Sequence, residues 1–383
     1  MANDKDFIVK NAVEVGKDTK VTLGTITSSN IDLSTGNYFN DTLAANTTYT
    51  ISNAGAVQSF QLEVTGVTVF VNNWDLAYAS HNQNFSVSTQ SPTSSGVFFK
   101  SDGTKMYVLE DGFSDEIVYQ YSLSTAWDIS TASYDSVNFS VGSEDSQTTD
   151  LFFKPDGTKM FIAGNGSNSI LEYSLSTAWD VSSASYSSSI SIGTQESTPM
   201  GLTFSTDGTK MYVVGFTNQT VYQYTLTTAW DLSTASYAST SFSVSSQETQ
   251  PESLFFKSDG TKMFVIGSLG DDVNEYDLST AWDVSTASYS QNFSVSSQQT
   301  APKGIFFKSD GDRMYIVGTT SAQVSQYNIG SSADATLTWP TSIEWAGGAA
   351  PAAPANGETD LFTISTDDGG TTYHGFKTAD NLS

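Results

Sequence analysis

The chain has 383 residues, with 41 acidic and 15 basic side chains, a formal charge of −26 and no cysteine. Without a lysine or arginine cluster, this excess of anions argues against binding nucleic acid, because that affinity rests on cations meeting phosphates. Disulfides cannot contribute to stability, and no apolar run is long enough to cross a membrane as a helix.

The acidity is dispersed over Ser/Thr-rich loops, which predicts solubility in a salty medium rather than a cation-binding surface. Met1-Ala2-Asn3-Asp4-Lys5-Asp6 lacks the basic start and apolar stretch of a secretory signal, so none is expected.

Residues 1–66 contain no repeat. They read as strands separated by turn clusters: Phe7 to Val15, Lys20 to Thr27, Thr47 to Ser52 and Ser59 to Val64.

From Trp74 onward the chain repeats itself. Asp-Gly-Thr-Lys-Met and its variants place Met106, Met160, Met211, Met263 and Met314 about 52 residues apart, and Trp74, Trp127, Trp179, Trp230 and Trp282, each followed by Asp, keep the same step. A period of that length denotes a stacked repeat architecture.

In the first full copy, Val97 to Lys100 is an apolar run ending at an Asp-Gly turn. Met106 to Leu109 forms a second strand, Ile117 to Leu123 alternates as a third, and Val137, Phe139 and Val141 mark an outer fourth. Asp-Gly predicts a tight hairpin in which both turn residues tolerate positive φ. Four antiparallel strands that cannot bury their faces alone form a β-propeller blade.

The repeat region opens with only a Trp-Asp loop and an outer strand near Phe85, and it ends after a third strand at Tyr327-Asn328-Ile329-Gly330. The two fragments sum to one blade. They predict a five-bladed ring, four strands per blade, closed across the seam without a free edge.

The segment from about 334 resumes the style of the N-terminal flank: Thr336 to Trp339, Ile343 to Trp345, Leu361 to Ser365 and Thr372 to Phe376. Each flank is short for a core of its own. The expected organisation is a split β-sandwich or jelly-roll-like domain, residues 1–66 with 334–383, into which a propeller of residues 67–333 is inserted. Leu62, Trp339, Ile343 and Phe362 are its expected core.

Candidate chemistry is sparse. His81 and His374 are the only histidines, with no paired nucleophile or metal-ligand spacing nearby. Asp102, Asp156, Asp207, Asp259 and Asp310 recur as turn residues. The acidic loops Asp271-Asp272 and Asp111, Asp115, Glu116 read as solvated charges rather than a calcium loop. The tryptophans occupy one position in every blade, which favours blade-to-blade packing over stacking on sugars. No charged or histidine set marks the channel, so the sequence predicts a protein without catalysis, cofactor or metal.

Loops between the second and third strands differ in every blade, as do the loops joining blades. Both sets are expected on one face of the disc, with the Asp-Gly turns and Trp-Asp loops on the other. Asp111, Phe113, Phe216, Asn218, Leu269 and Asp271 in the variable loops are the candidate contact residues. Because chain entry and exit replace a Trp-Asp loop, the flanking domain is expected on the repetitive face, with the variable face outward.

The flanks resemble those of virion structural proteins of marine tailed bacteriophages. The residues that carry the resemblance are Asp6-Phe7-Ile8-Val9-Lys10-Asn11, Phe60-Gln61-Leu62-Glu63-Val64-Thr65-Gly66, the run from Leu337 to Gly348, and Asp367-Asp368-Gly369-Gly370-Thr371-Thr372-Tyr373-His374-Gly375-Phe376. The repeats resemble the Asp-Gly-x-x-Met/Leu-Tyr-Val propellers of extracellular and phage proteins.

These resemblances imply a fibre-like protein on the virion surface, docked to tail or capsid proteins through the flanking domain with the N-terminal strand as an arm. They further imply a homo-oligomer, commonly a trimer, that presents the propeller to host glycan or protein. A capsid decoration protein and a cell-surface adhesin are the alternatives.

Overall fold

The computed structural model describes residues 13–14, 20–21, 26–27, 29–43, 47–55, 58–65, 68–71, 73–111, 116–334, 337–380 and 382. The chain forms two compact units, Asn72–Ser331 and Met1–Val71 with Ser332–Ser383. These bounds lie within a few residues of those read from the markers. No helix among the described residues is long and apolar enough to cross a membrane.

The larger unit is a five-bladed β-propeller. Blade 1 contains Ser94–Phe99, Lys105–Glu110, Ile117–Leu123 and Ala132–Ser140, paired in that order, and blades 2, 3 and 4 repeat the plan from Thr148, Pro199 and Pro251. Blade 5 takes Pro302–Phe307, Arg313–Gly318 and Gln323–Asn328 from the end of the repeat region and its outer strand, Ser80–Ser86, from the beginning. Phe85 lies opposite Val324 in that antiparallel pair. The ring therefore closes by strand pairing, which satisfies the backbone of what would otherwise be an edge.

The repeated residues each have a structural task. All five methionines, Met106, Met160, Met211, Met263 and Met314, are fully buried. In blade 1, Gly103 N–H donates to the Lys100 carbonyl, and Lys100 N–H to the Lys105 carbonyl. The hairpin is thus a four-residue loop, and only Gly103 takes positive φ, +73°. This corrects the expected two-residue turn: Asp102 instead accepts from Thr104 N–H and pairs with Lys100. Asp156, Asp207, Asp259 and Asp310 occupy the same turn, with Thr158, Thr209, Thr261 and Asp312 as amide donors.

The aspartate after each tryptophan caps a single turn of 3₁₀ helix. Asp75, Asp128, Asp180, Asp231 and Asp283 accept from the amide two residues on, which satisfies a donor that the turn leaves unpaired.

In the smaller unit a five-stranded sheet runs Ile343–Trp345, Tyr373–Ala379, Thr359–Thr366, Gln58–Thr65, Tyr38–Thr42. Its centre joins the two flanks: Thr359–Thr366 pairs antiparallel with Gln58–Thr65, with Phe362 opposite Leu62. Both strands alternate buried and half-exposed residues, the period of a sheet with one covered face.

The outer pairs of this sheet, Tyr38–Thr42 with Gln58–Thr65 and Ile343–Trp345 with Tyr373–Ala379, are parallel. Leu62, Trp339, Ile343 and Phe362 all lie in one core. Trp339 packs edge-on against Phe362 at 4.8 Å and donates through Nε1 to the Pro351 carbonyl at 2.8 Å. The expected arm, Phe7 to Val15, falls outside the described residues except for Val13–Glu14, which pairs with Lys20–Val21.

Candidate functional site

Every blade turns its first strand toward the propeller axis, so residues at one repeat position form a ring around the channel. Three such rings differ in chemistry.

The narrowest contains Gly96, Asp150, Gly201, Ser253 and Gly304. A Cβ on Gly304 would lie 2.9 Å from Gly96 Cα, and one on Gly201 2.6 Å from Ser253 Cα, so glycine is what lets the strands converge here. Asp150 fills the remaining space. Its Oδ2 accepts from Leu202 N–H at 3.0 Å and Ser253 Oγ at 2.8 Å, and its Oδ1 from Leu151 N–H at 2.9 Å. Removal from water pushes its carboxyl up to about 7, against the pull of these donors.

Two residues along is a plug. Phe98 meets Phe152 and Phe306 edge-to-face at 5.2 and 5.0 Å, and Phe306 meets Phe255 at 5.3 Å. The blade 3 member is Thr203, buried as Phe98 and Phe306 are, while Phe152 and Phe255 are partly buried. A void of about 10 Å³ separates this ring from Asp150.

Outside the plug the channel opens as an aromatic funnel of about 180 Å³ on the Asp-Gly and Trp-Asp side of the disc. Its wall is mainly the five tryptophans and the phenylalanines that end the first strands, with Pro155 and the hydroxyl residues that follow those strands. Each tryptophan has positive φ, between 63° and 67°, a conformation costing a non-glycine residue on the order of 1–3 kcal/mol.

Packing offsets that strain. Each indole lies against its own blade's turn glycine and stacks near a ring of the preceding blade, as Trp179 does with Tyr107 at 6.2 Å and 29°. The tryptophan carbonyls are bonded across the same boundary: Trp127 accepts from Tyr315 Oη at 2.7 Å, Trp282 from Tyr212 Oη at 2.8 Å. Blade-to-blade packing is their structural role, and the funnel they wall is the feature that motif reading missed.

At the other end of the first strands, Lys303 Nζ pairs with Glu252 Oε1 at 2.8 Å across the boundary of blades 4 and 5, and Ser268 Oγ donates to the same oxygen at 2.6 Å. Glu252 Oε2 is buried without a partner. Burial raises the Asp111 carboxyl, with Lys303 acting against it. With Asp150 on the axis, charged groups therefore do stand on the innermost strands, contrary to expectation; they occupy different blades and share no local motif.

The variable loops contain an order of their own. Asp145, Glu196 and Glu248 follow the repeat step, and each is buried and accepts backbone N–H groups from the neighbouring loop. Asp145 takes Gln147, Gly166 and Ser167; Glu196 takes Thr198, Thr217 and Asn218; Glu248 takes Gln250 and Gly270. Gly164, Gly215 and Gly267 make room, since a Cβ on any of them would come within 2.3 Å of the acid.

On this scaffold Phe216 and Leu269 are 44 % and 63 % exposed. Asn218 is exposed, with its Nδ2 bonded to the Gln195 carbonyl. Asp111 is half-buried, and its N–H donates to the Thr93 carbonyl. Asp271, at φ 48°, has a buried Oδ1. Phe113 and Asp115 lie outside the described residues.

Two acids read as solvated loop charges are instead bonded inside the protein. Asp272 accepts from the side-chain amides of Asn274 and Asn292, and Glu116 from Thr148. Among the described residues no group of three or more His, Asp or Glu side chains is placed to hold a metal ion.

No family model and no curated protein matches the chain. Solved structures similar to it include a candidate 6-phosphogluconolactonase from Bacteroides uniformis, at 12 % identity and TM-score 0.39, covering 63 % of this chain and 70 % of that one. Another is a candidate 6-phosphogluconolactonase from Bacteroides fragilis, at 14 % and 0.39, covering 63 % and 69 %. A functionally unknown protein from Desulfotomaculum acetoxidans aligns at 13 % and 0.38, over 76 % and 86 %.

These likenesses concern the fold and assign no substrate. The expectation of a chain without catalysis is corrected on a different ground: it rested on a channel without charged groups, and Asp150 stands on the axis.

Proposed function

We propose that this chain is a fibre-like surface protein of a tailed-phage virion, docked to tail or capsid proteins by the unit built from its two ends and meeting host glycan or protein with the variable face of its propeller. The observation that carries the recognition part is the pairing of exposed apolar side chains with an immobilised backbone. Phe216 and Leu269 project from loops whose amides are tied to Glu196 and Glu248.

Side chains held in place lose less entropy on binding than side chains on mobile loops. Exposed apolar groups gain by covering. Many copies per particle would multiply a weak single contact. The docking part rests on the flank motifs described above.

Antibody labelling of purified virions tests the location, and adsorption tests the face. Virions carrying Phe216→Ser with Leu269→Ser should adsorb to host cells at least tenfold more slowly, with normal copy number and unchanged melting temperature. Unchanged adsorption would leave the capsid-decoration reading in its place. Absence of the polypeptide from virions would remove both.

A further inference from the structure

The aromatic funnel is built as a pocket, and one position breaks its symmetry. Four of the five plug residues are phenylalanine, and the fifth is Thr203, which is 4 % exposed and borders both the funnel and the void beneath it. Phenylalanine at that place would meet Phe152 and Phe255, as Phe98 meets Phe152 and Phe306. Threonine leaves the ring open there and puts one hydroxyl among hydrocarbon. Among the described residues that hydroxyl makes no hydrogen bond, and its oxygen is not one of the side-chain atoms sealed from solvent, so its donor and acceptor stay free for a ligand.

We infer that the funnel is a binding site for a neutral ligand of one six-membered ring bearing a single hydroxyl or comparable polar group, its ring seated between the tryptophans and its polar group directed inward onto Thr203. The size fits: about 180 Å³ is available, and a cavity of about 150 Å³ accepts benzene. The charge fits, because no charged side chain lines the funnel and an ion would lose its hydration there without compensation. A mostly apolar wall with a few polar groups is the composition of small-molecule pockets; Thr203 is the one at the level of the plug, while Ser101, Ser205, Thr206, Ser258 and Ser309 follow the first strands. This inference is independent of the virion reading, since it concerns the opposite face of the disc and a different ligand class.

Phenol is the probe, with toluene as the matching ring without a hydroxyl. Titration of the full-length protein is followed by calorimetry and by tryptophan fluorescence, because five indoles form the wall. Phenol should bind with a fluorescence change and more tightly than toluene. Thr203→Val should weaken phenol roughly fivefold to tenfold, the worth of one hydrogen bond, and leave toluene unchanged. Thr203→Phe should abolish both while the melting temperature holds or rises; Thr203→Leu gives the same readout if the phenylalanine variant does not fold. Failure of phenol to bind the unaltered protein would overturn the inference, as would phenol binding that survives both filling substitutions or ignores Thr203→Val.

Discussion

The Asp150 carboxylate reaches from blade 2 past blade 3 to the Ser253 hydroxyl of blade 4, 103 residues away in sequence and 2.8 Å away in space. A single side chain thus ties three of the five first strands at the axis, where glycine elsewhere lets the backbones meet directly.

That position makes stability depend on pH in a defined direction. Asp150 titrates near 7 when folded, against a reference value of 3.8, so the folded protein holds the proton more tightly. Its contribution is fully present below about pH 4 and is lost as pH rises through 7, on the order of 4 kcal/mol over that range. Glu116, also raised to about 7 by burial, acts with the same sign. Melting temperatures should fall between pH 5 and 8, and Asp150→Asn should flatten part of that slope. An identical pH profile in the variant would show that Asp150 is already ionised in the fold.

Two glycines separate space from backbone conformation. Gly208 has φ +70° and an added Cβ would lie 2.1 Å from the Trp230 indole, whereas Gly369 has φ +76° with nothing within 4 Å. Gly369→Ala should cost about 1 kcal/mol, from the left-handed backbone alone. Gly208→Ala should cost at least about 3 kcal/mol, because the tryptophan must move as well. Thermal unfolding of both variants measures the difference.

The buried acids of the variable face should control its rigidity. Glu196→Ala strands the amides of Thr198, Thr217 and Asn218, at about 2–3 kcal/mol. Hydrogen exchange at Thr217 and Asn218 should accelerate by more than tenfold, with the Met211 and Tyr224 amides unaffected. Uniform acceleration across the blade would instead indicate global destabilisation.

Closure at the seam should be indispensable. A chain of residues 72–331 contains every blade strand and should fold alone, giving a β-type circular dichroism spectrum and a monomer peak in gel filtration. A chain beginning at 91 lacks Ser80–Ser86, which pairs with Gln323–Asn328, and should aggregate through the exposed edge. Monomeric behaviour of the shorter chain would mean that the seam pair is dispensable.

Much of the propeller was legible because its determinants are local and repeated. The turn glycine, the aspartate cap and the buried methionine each act within one blade, so a 52-residue period exposes them. The seam was legible too, since marker order at the two ends records which strand is missing from each. The hairpin loop length was misjudged because Asp-Gly serves two turn geometries, and only the bond from Gly103 to Lys100 distinguishes them.

The strand Tyr38–Thr42 was missed in the flank. Its pairing is parallel, with Gln58–Thr65, and Tyr-Phe-Asn-Asp-Thr carries little strand signal of its own.

What tertiary structure alone decided is the content of the channel and of the loops. Asp150, Thr203, Glu252 and Lys303 are deviations from the repeat, visible one at a time as letters that break a pattern. Their meaning arises when ring closure brings positions about 52, 103 and 154 residues apart onto one axis. Sequence determined the blade, through contacts between residues close along the chain. The ring determined the sites, because burial, unpaired hydroxyls and shifted carboxyls are properties of what surrounds a side chain, and here the surroundings come from other blades.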